Sequence, residues 1–172
     1  MVRKLFKNTF FFIVFVLIQV LFLNNIYYLR IATPFLYLYC LIKLPVGTSR
    51  TNTLIISFAT GLVIDMFTNT FGMHAAACTF AGFYRDIILN FLTGKDLSNG
   101  CIPSFRTFGT RVFFRYIFLF VILHHIALFL LEAFTLFDPL FLSIRIISSI
   151  LVTTLLICIV DAFNLEVVKY DK

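Results

Sequence analysis

The sequence contains no tryptophan and little charge. Only 13% of its 172 residues are Asp, Glu, Lys or Arg, whereas 61% are hydrophobic and the mean hydropathy is +1.02. A soluble domain has about 25% charged and about 45–50% apolar residues. Because much of the surface of a soluble domain this size faces water, it could not hide so much apolar area. The composition therefore favours a membrane protein.

Cysteine is also scarce, and the four cysteines stand far apart in the chain. No C-x-x-C or H-x₃-H spacing is present, so a metal site has little support. Cys40, Cys78 and Cys158 lie within apolar runs, where a thiol most simply packs as a small hydrophobic side chain. We expect neither a metal ion nor another cofactor.

The N-terminal segment lacks the small-residue cleavage site of a secretory signal peptide. Its charged start is followed by an apolar run that reaches Leu23 and meets Asn24-Asn25 with no A-x-A pattern. The apolar region of a signal peptide has about 7–15 residues and ends at such a site. We therefore expect a retained signal-anchor that forms the first membrane span.

Six apolar segments have lengths near those that cross a bilayer. A helix needs about 20 residues, within a range of about 17–25, to cross about 30 Å of hydrocarbon. The second segment is short and carries Pro34 in its first turn, where proline is tolerated. The sequence predicts an all-α integral membrane protein, with one domain over residues 1–172 and six transmembrane helices at about 8–23, 30–44, 51–67, 71–92, 111–133 and 138–164.

Positive charge is distributed unevenly over the connections between these segments. With the N-terminus in the cytoplasm, twelve of the fourteen Lys and Arg residues fall on the cytoplasmic side, and only Arg30 and Arg145 do not. Lys and Arg concentrate in cytoplasmic loops, so we predict a multi-pass protein with both termini in the cytoplasm. The net charge of +6 then follows from topology and suits anionic membrane lipid, and it requires no nucleic acid.

Two charged side chains stand at similar depth in the outer half of the predicted bundle. Asp65 lies near the end of the third helix, and Arg145 lies about two turns into the sixth. Polar groups in hydrocarbon are costly and often functional. Three interpretations of Asp65 stay open: local hydrogen bonds in the turn before the fourth helix, an ion pair with Arg145, or a direct functional contact.

Two adjacent histidines, His124 and His125, stand near the middle of the fifth predicted helix. Neighbouring positions on a helix point about 100° apart, so the two side chains are poorly placed to bind one metal ion. Hydrogen bonding within the core is the favoured interpretation. A proton relay is the alternative, although it needs carboxylate partners at the same depth.

Small residues indicate a close approach of the third and fourth helices. The spacings Ser57-x₃-Gly61 and Cys78-x₃-Gly82 would each let the backbones of two helices come near each other. Between the two helices, Asn69 and Thr70 can bond backbone amides, and Gly72 suits a positive φ. We therefore expect a tightly packed helical hairpin around the turn TNTFG.

The stretch Phe58–Arg85, FATGLVIDMFTNTFGMHAAACTFAGFYR, resembles the signature region of the bacterial rod shape-determining MreD family. That region has a Phe, then Gly-Leu-x-x-Asp, a short polar stretch, Gly-x-His and a helix of small residues. The matching positions are Phe58, Gly61-Leu62, Asp65, Gly72 and His74. Asn69-Thr70-Phe71 replaces the Pro-Leu or similar pair that commonly precedes the glycine.

This resemblance implies a six-helix scaffold of the bacterial cytoplasmic membrane that serves cell elongation and lateral peptidoglycan synthesis. It implies binding to the periplasmic coiled-coil protein MreC and, through MreC, to MreB filaments and peptidoglycan synthases. It also implies a fold similar to the substrate-binding subunits of energy-coupling-factor vitamin transporters. We expect six residues to support the structure or the partner surface: Gly61, Asp65, Asn69, Gly72, His74 and Arg145.

Vitamin uptake and intramembrane catalysis are the alternative functions. Uptake subunits of the energy-coupling-factor type typically carry an Ala-x₃-Ala face on the first helix, whereas NTFFFIVFVLIQVLF contains no Ala or Gly. An enzyme needs a cluster of catalytic groups, yet the acidic residues Asp65, Glu132 and Asp161 are dispersed. The sequence therefore favours a non-enzymatic scaffold without catalytic residues.

Overall fold

A computed structural model describes residues 14–19, 21, 32–94, 100–133 and 138–169, with side chains described as far as residue 163. Every regular element in these ranges is a helix, so the prediction of an all-α chain is confirmed at this level. We number the helices α1 (residues 14–19), α2 (Leu38–Ile42), α3 (Arg50–Thr68), α4 (Met73–Thr93), α5 (Phe105–Phe108), α6 (Thr110–Glu132) and α7 (Pro139–Lys169).

Three of these helices are long and apolar enough to cross a membrane, judged on the described residues. They are α3, α6 and the Pro139–Phe163 part of α7. The predicted segments at 51–67, 71–92, 111–133 and 138–164 overlap α3, α4, α6 and α7, respectively. The first predicted segment, 8–23, lies largely outside the described residues.

The second predicted segment is not a continuous helix, which corrects the helix expected at 30–44. Residues 32–35 are non-helical, a turn follows, and α2 has only five residues. Pro34 provides a physical reason, since its ring disfavours the helical conformation of the residue before it. The sequence placed Pro34 in a first helical turn, whereas the chain stays non-helical around it.

Side chains from two helices satisfy the backbone polar groups that this non-helical segment leaves unpaired. Gln19 donates to the carbonyl of Pro34 at 2.9 Å and accepts from the amide of Leu36 at 2.7 Å. On α7, Ser149 accepts from the amide of Thr33 at 3.0 Å, and Thr153 accepts from that of Phe35 at 3.1 Å. Non-helical backbone is tolerated at membrane depth where protein covers it in this way.

Candidate functional site

Asp65 lies in the last turn of α3 and is almost fully buried, with 3% of its surface exposed. Its Oδ1 accepts a hydrogen bond from the amide of His74 at 3.0 Å, and its Oδ2 accepts one from the amide of Ala75 at 2.8 Å. The hydroxyl of Thr70 also donates to Oδ1. A side chain of α3 therefore caps the start of α4.

The first turn of α4 needs this help because its own N-cap residue is Gly72, which has no side chain to offer. The first four amides of a helix have no partner within the helix. Asp65 binds two of them, and the positive end of the helix dipole favours a negative charge there. The interpretation of Asp65 as a local hydrogen-bonding group matches these contacts.

The turn between α3 and α4 is built on two left-handed backbone positions. Asn69 ends α3 with φ 55° and donates its amide to the carbonyl of Asp65, which also accepts the amide of Thr70 at 3.1 Å. Gly72 follows with φ 75°. We expected Asn69 and Thr70 to bond the first amides of α4. Asp65 bonds them instead, and Asn69 acts through its backbone.

Gly61 lies where the backbones of α3 and α4 touch. A Cβ atom added to Gly61 would approach the amide nitrogen of Ala75 to 2.5 Å and would also crowd the Cα of Ala75 and the carbonyl of His74. One turn nearer the start of α3, Ser57 packs against Gly82, where an added Cβ would lie 2.9 Å from the Cβ of Ser57. The spacing of small residues thus marks a direct helix contact, as predicted.

The side chain of His74 points away from the turn and joins a buried hydrogen-bonded group. The hydroxyl of Tyr37 lies 3.0 Å from Nδ1 of His74 and 2.9 Å from Nε2 of His124. A tyrosine hydroxyl donates only one hydrogen bond, so one histidine must accept from it and the other must donate to it. These hydrogen bonds tie α4 and α6 to the turn that precedes α2.

The ring of Phe35 fills the space between three histidines, with centroids 5.4 Å from His74, 5.7 Å from His124 and 5.2 Å from His125. His125 Nδ1 lies 2.8 Å from the carbonyl of Val121, and Nε2 lies 3.3 Å from the hydroxyl of Thr153. The two adjacent histidines therefore use different partners. Each makes a hydrogen bond within the core, which is the interpretation that the sequence favoured.

Arg145 does not reach Asp65, so the ion pair considered between them is wrong. Its Nη1 lies 2.9 Å from Oε1 of Glu132, and its guanidinium stacks 4.9 Å from the ring centroid of Phe129. Glu132 ends α6 and Arg145 lies near the start of α7, so the pair joins two helices that are consecutive in the chain. Of the six predicted site residues, the hairpin gathers five and leaves Arg145 apart.

A second polar cluster lies at the opposite end of the bundle and was not singled out from the sequence. Buried Asp161 of α7 pairs with Lys43 at 2.6 Å, accepts from the hydroxyl of Tyr39 at 3.0 Å and accepts from the amide of Phe105 at 3.1 Å. Nearby, the guanidinium of Arg85 donates to the carbonyl of Leu44. The sequence signal that could have identified this cluster is Asp161 itself, an isolated acidic residue in an apolar run.

Within the described ranges, no three His, Cys, Asp or Glu side chains are placed to hold a metal ion. The carboxylate of Asp65 is instead held by hydrogen bonds from two amides and one hydroxyl.

Comparison of this chain with protein-family models, with curated proteins and with solved structures found no match.

Proposed function

We propose that this chain is a non-enzymatic membrane scaffold of the bacterial cell-elongation machinery, of the MreD type. In this role it binds the periplasmic coiled-coil protein MreC and, through MreC, supports MreB filaments and the peptidoglycan synthases. The observation that carries the proposal is that residues of the MreD-like stretch Phe58–Arg85 lie together in one structural unit. Gly61, Asp65 and Gly72 act together in one helical hairpin, with His74 at the start of its second helix.

The tip of this hairpin offers a surface to a partner outside the membrane. Phe71 is 97% exposed there, between the left-handed positions Asn69 and Gly72. Because Asp65 and the Gly61 contact fix both helices below the tip, the exposed ring stands on a defined support. Aromatic side chains, including phenylalanine, are enriched where proteins bind each other.

We also propose six membrane crossings with both termini in the cytoplasm. The non-helical segment and α2 run beside α7, since Thr33 contacts Ser149 and Lys43 contacts Asp161. Those α7 positions are twelve residues apart, or about 18 Å along the helix axis. This separation supports a second crossing, although most of the described part of the segment is not helical.

Accessibility to a membrane-impermeant maleimide tests this orientation. In a variant without the four native cysteines, intact cells are expected to be labelled at Phe71→Cys, at the hairpin tip, and not at Arg106→Cys, on α5. Both positions are exposed, so both should react after the membrane is permeabilised. Labelling of Arg106→Cys in intact cells would contradict the proposed topology.

Photo-crosslinking in a rod-shaped bacterium tests the partner. A photoreactive residue at Phe71 is expected to crosslink to co-expressed MreC. The matched control is Phe91, which is 81% exposed near the other end of α4 and should not yield that product. Equal crosslinking from both positions, or none from Phe71, counts against the scaffold. Copurification of a transport ATPase module with vitamin binding would favour the uptake alternative.

A further inference from the structure

An open groove of about 500 Å³ lies between α6 and the middle of α7. Its walls are mostly apolar side chains that are partly or well exposed, including Phe114 at 47%, Leu151 at 59% and Leu155 at 61%. Phe114 and Phe118 stack with ring planes only 7° apart, which makes one wall flat. The shape and chemistry suit a hydrocarbon chain.

The order of the lining residues gives the groove a direction. On α6 it runs from Thr110 to Phe118, a rise of about 12 Å, compared with about 15 Å for one leaflet of hydrocarbon. On α7 it runs from Cys158 back to Leu151. Because α6 and α7 are antiparallel, Thr110 and Cys158 stand toward the same end of the bundle, which also carries Lys43 and Asp161.

One polar feature distinguishes this groove from an ordinary lipid-facing surface. Arg111 lines its end, is exposed and makes no ion pair with any described residue. An unpaired cation beside apolar walls matches the amphipathic chemistry of an anionic phospholipid.

We propose that this groove is a binding site for an anionic phospholipid. One acyl chain lies between the Phe114–Phe118 wall and Leu151 and Leu155. Arg111 binds the phosphate at the membrane surface. Basic pockets between transmembrane helices on the cytoplasmic side bind anionic headgroups in this manner. The site rests on the proposed topology, which puts Arg111 at the cytoplasmic surface, and is independent of the scaffold role.

Native mass spectrometry of the delipidated full-length protein in detergent tests the site. Dioleoyl phosphatidylglycerol is expected to bind about fivefold more tightly than dioleoyl phosphatidylcholine, as one favourable charge contact predicts. Arg111→Gln should bring the two affinities together. Arg50→Gln is the matched control, because it removes an exposed cation that stacks on Phe83, away from the groove, and it should keep the preference.

A second variant tests the apolar walls. Cys158→Phe narrows the groove at a partly exposed position and should weaken both lipids at least about threefold, as expected when apolar contact area is lost. Equal binding of the two lipids by the unaltered protein overturns the proposal, as does an equal effect of Arg111→Gln and Arg50→Gln. Unchanged lipid binding by Cys158→Phe also overturns it. So does conversion of a dimer to a monomer by Cys158→Phe, which would identify the groove as a protein interface.

Discussion

Gly61→Ala is expected to destabilise the protein by about 3 kcal/mol, at the upper end of the usual cost of overpacking. The added methyl group meets backbone atoms of His74 and Ala75, which cannot rotate away as a side chain could. Relief therefore requires α3 and α4 to separate. Separation also pulls Asp65 from the amides it caps, so the substitution affects two interactions at once.

The stabilities of the variants are compared by heating each detergent-solubilised protein and measuring the fraction that stays monodisperse. Gly72→Asn and Gly72→Val are the controls, because an added Cβ at Gly72 meets no atom within 4 Å. Only the left-handed φ matters there, so Asn should be nearly neutral and Val should cost about 1–2 kcal/mol. A Gly61→Ala protein as stable as Gly72→Asn would show that the helix contact is looser than the structure indicates.

The α3–α4 hairpin could be predicted from sequence because its determinants are local. Small residues spaced four apart mark the helix contact, and Asn69 and Gly72 mark the turn. All of these residues lie within one stretch of the chain, so helical geometry alone brings them together. The same reasoning placed Asp65 near unsatisfied amides, although not on the specific amides of His74 and Ala75 that it binds.

The pairing of charges could not be predicted in the same way. Depth along the membrane normal placed Asp65 and Arg145 at one level, but depth says nothing about distance within the membrane plane. Arg145 binds Glu132 across the connection between α6 and α7. Helix order around the bundle decides such pairs, and that order cannot be read from the sequence.

The non-helical segment is the second feature that sequence reasoning missed. Pro34 is compatible with either a helix start or a broken helix, and hydropathy cannot separate the two. The choice depends on remote partners, since Gln19, Ser149 and Thr153 supply the hydrogen bonds that a helix would make internally. Tyr37 was overlooked for the same reason, because its partners are His74 and His124 on other helices.

Asp65→Leu is expected to be more damaging than Asp65→Asn, and this difference distinguishes a structural carboxylate from a charge that binds a partner. Leucine leaves the amides of His74 and Ala75 without an acceptor, and the hydroxyl of Thr70 keeps only that of Thr68, at 2.8 Å. A buried unsatisfied donor costs about 1–3 kcal/mol, so several such losses should prevent accumulation of the protein. Asparagine keeps one oxygen and should cost about 1–2 kcal/mol, since its NH₂ group replaces one acceptor with a donor.

The matched control for Asp65 is Asp138, which caps α7 from an exposed position through the amides of Leu140 at 3.0 Å and Phe141 at 3.2 Å. Because water can replace a lost partner there, Asp138→Asn should be nearly neutral and Asp138→Leu should cost about 1 kcal/mol. Protein level, thermal stability and rod shape are measured for all four variants. If Asp65→Asn and Asp65→Leu lose cell shape equally while both proteins accumulate normally, the negative charge itself is required. A direct contact between Asp65 and the partner then replaces the capping role as the explanation.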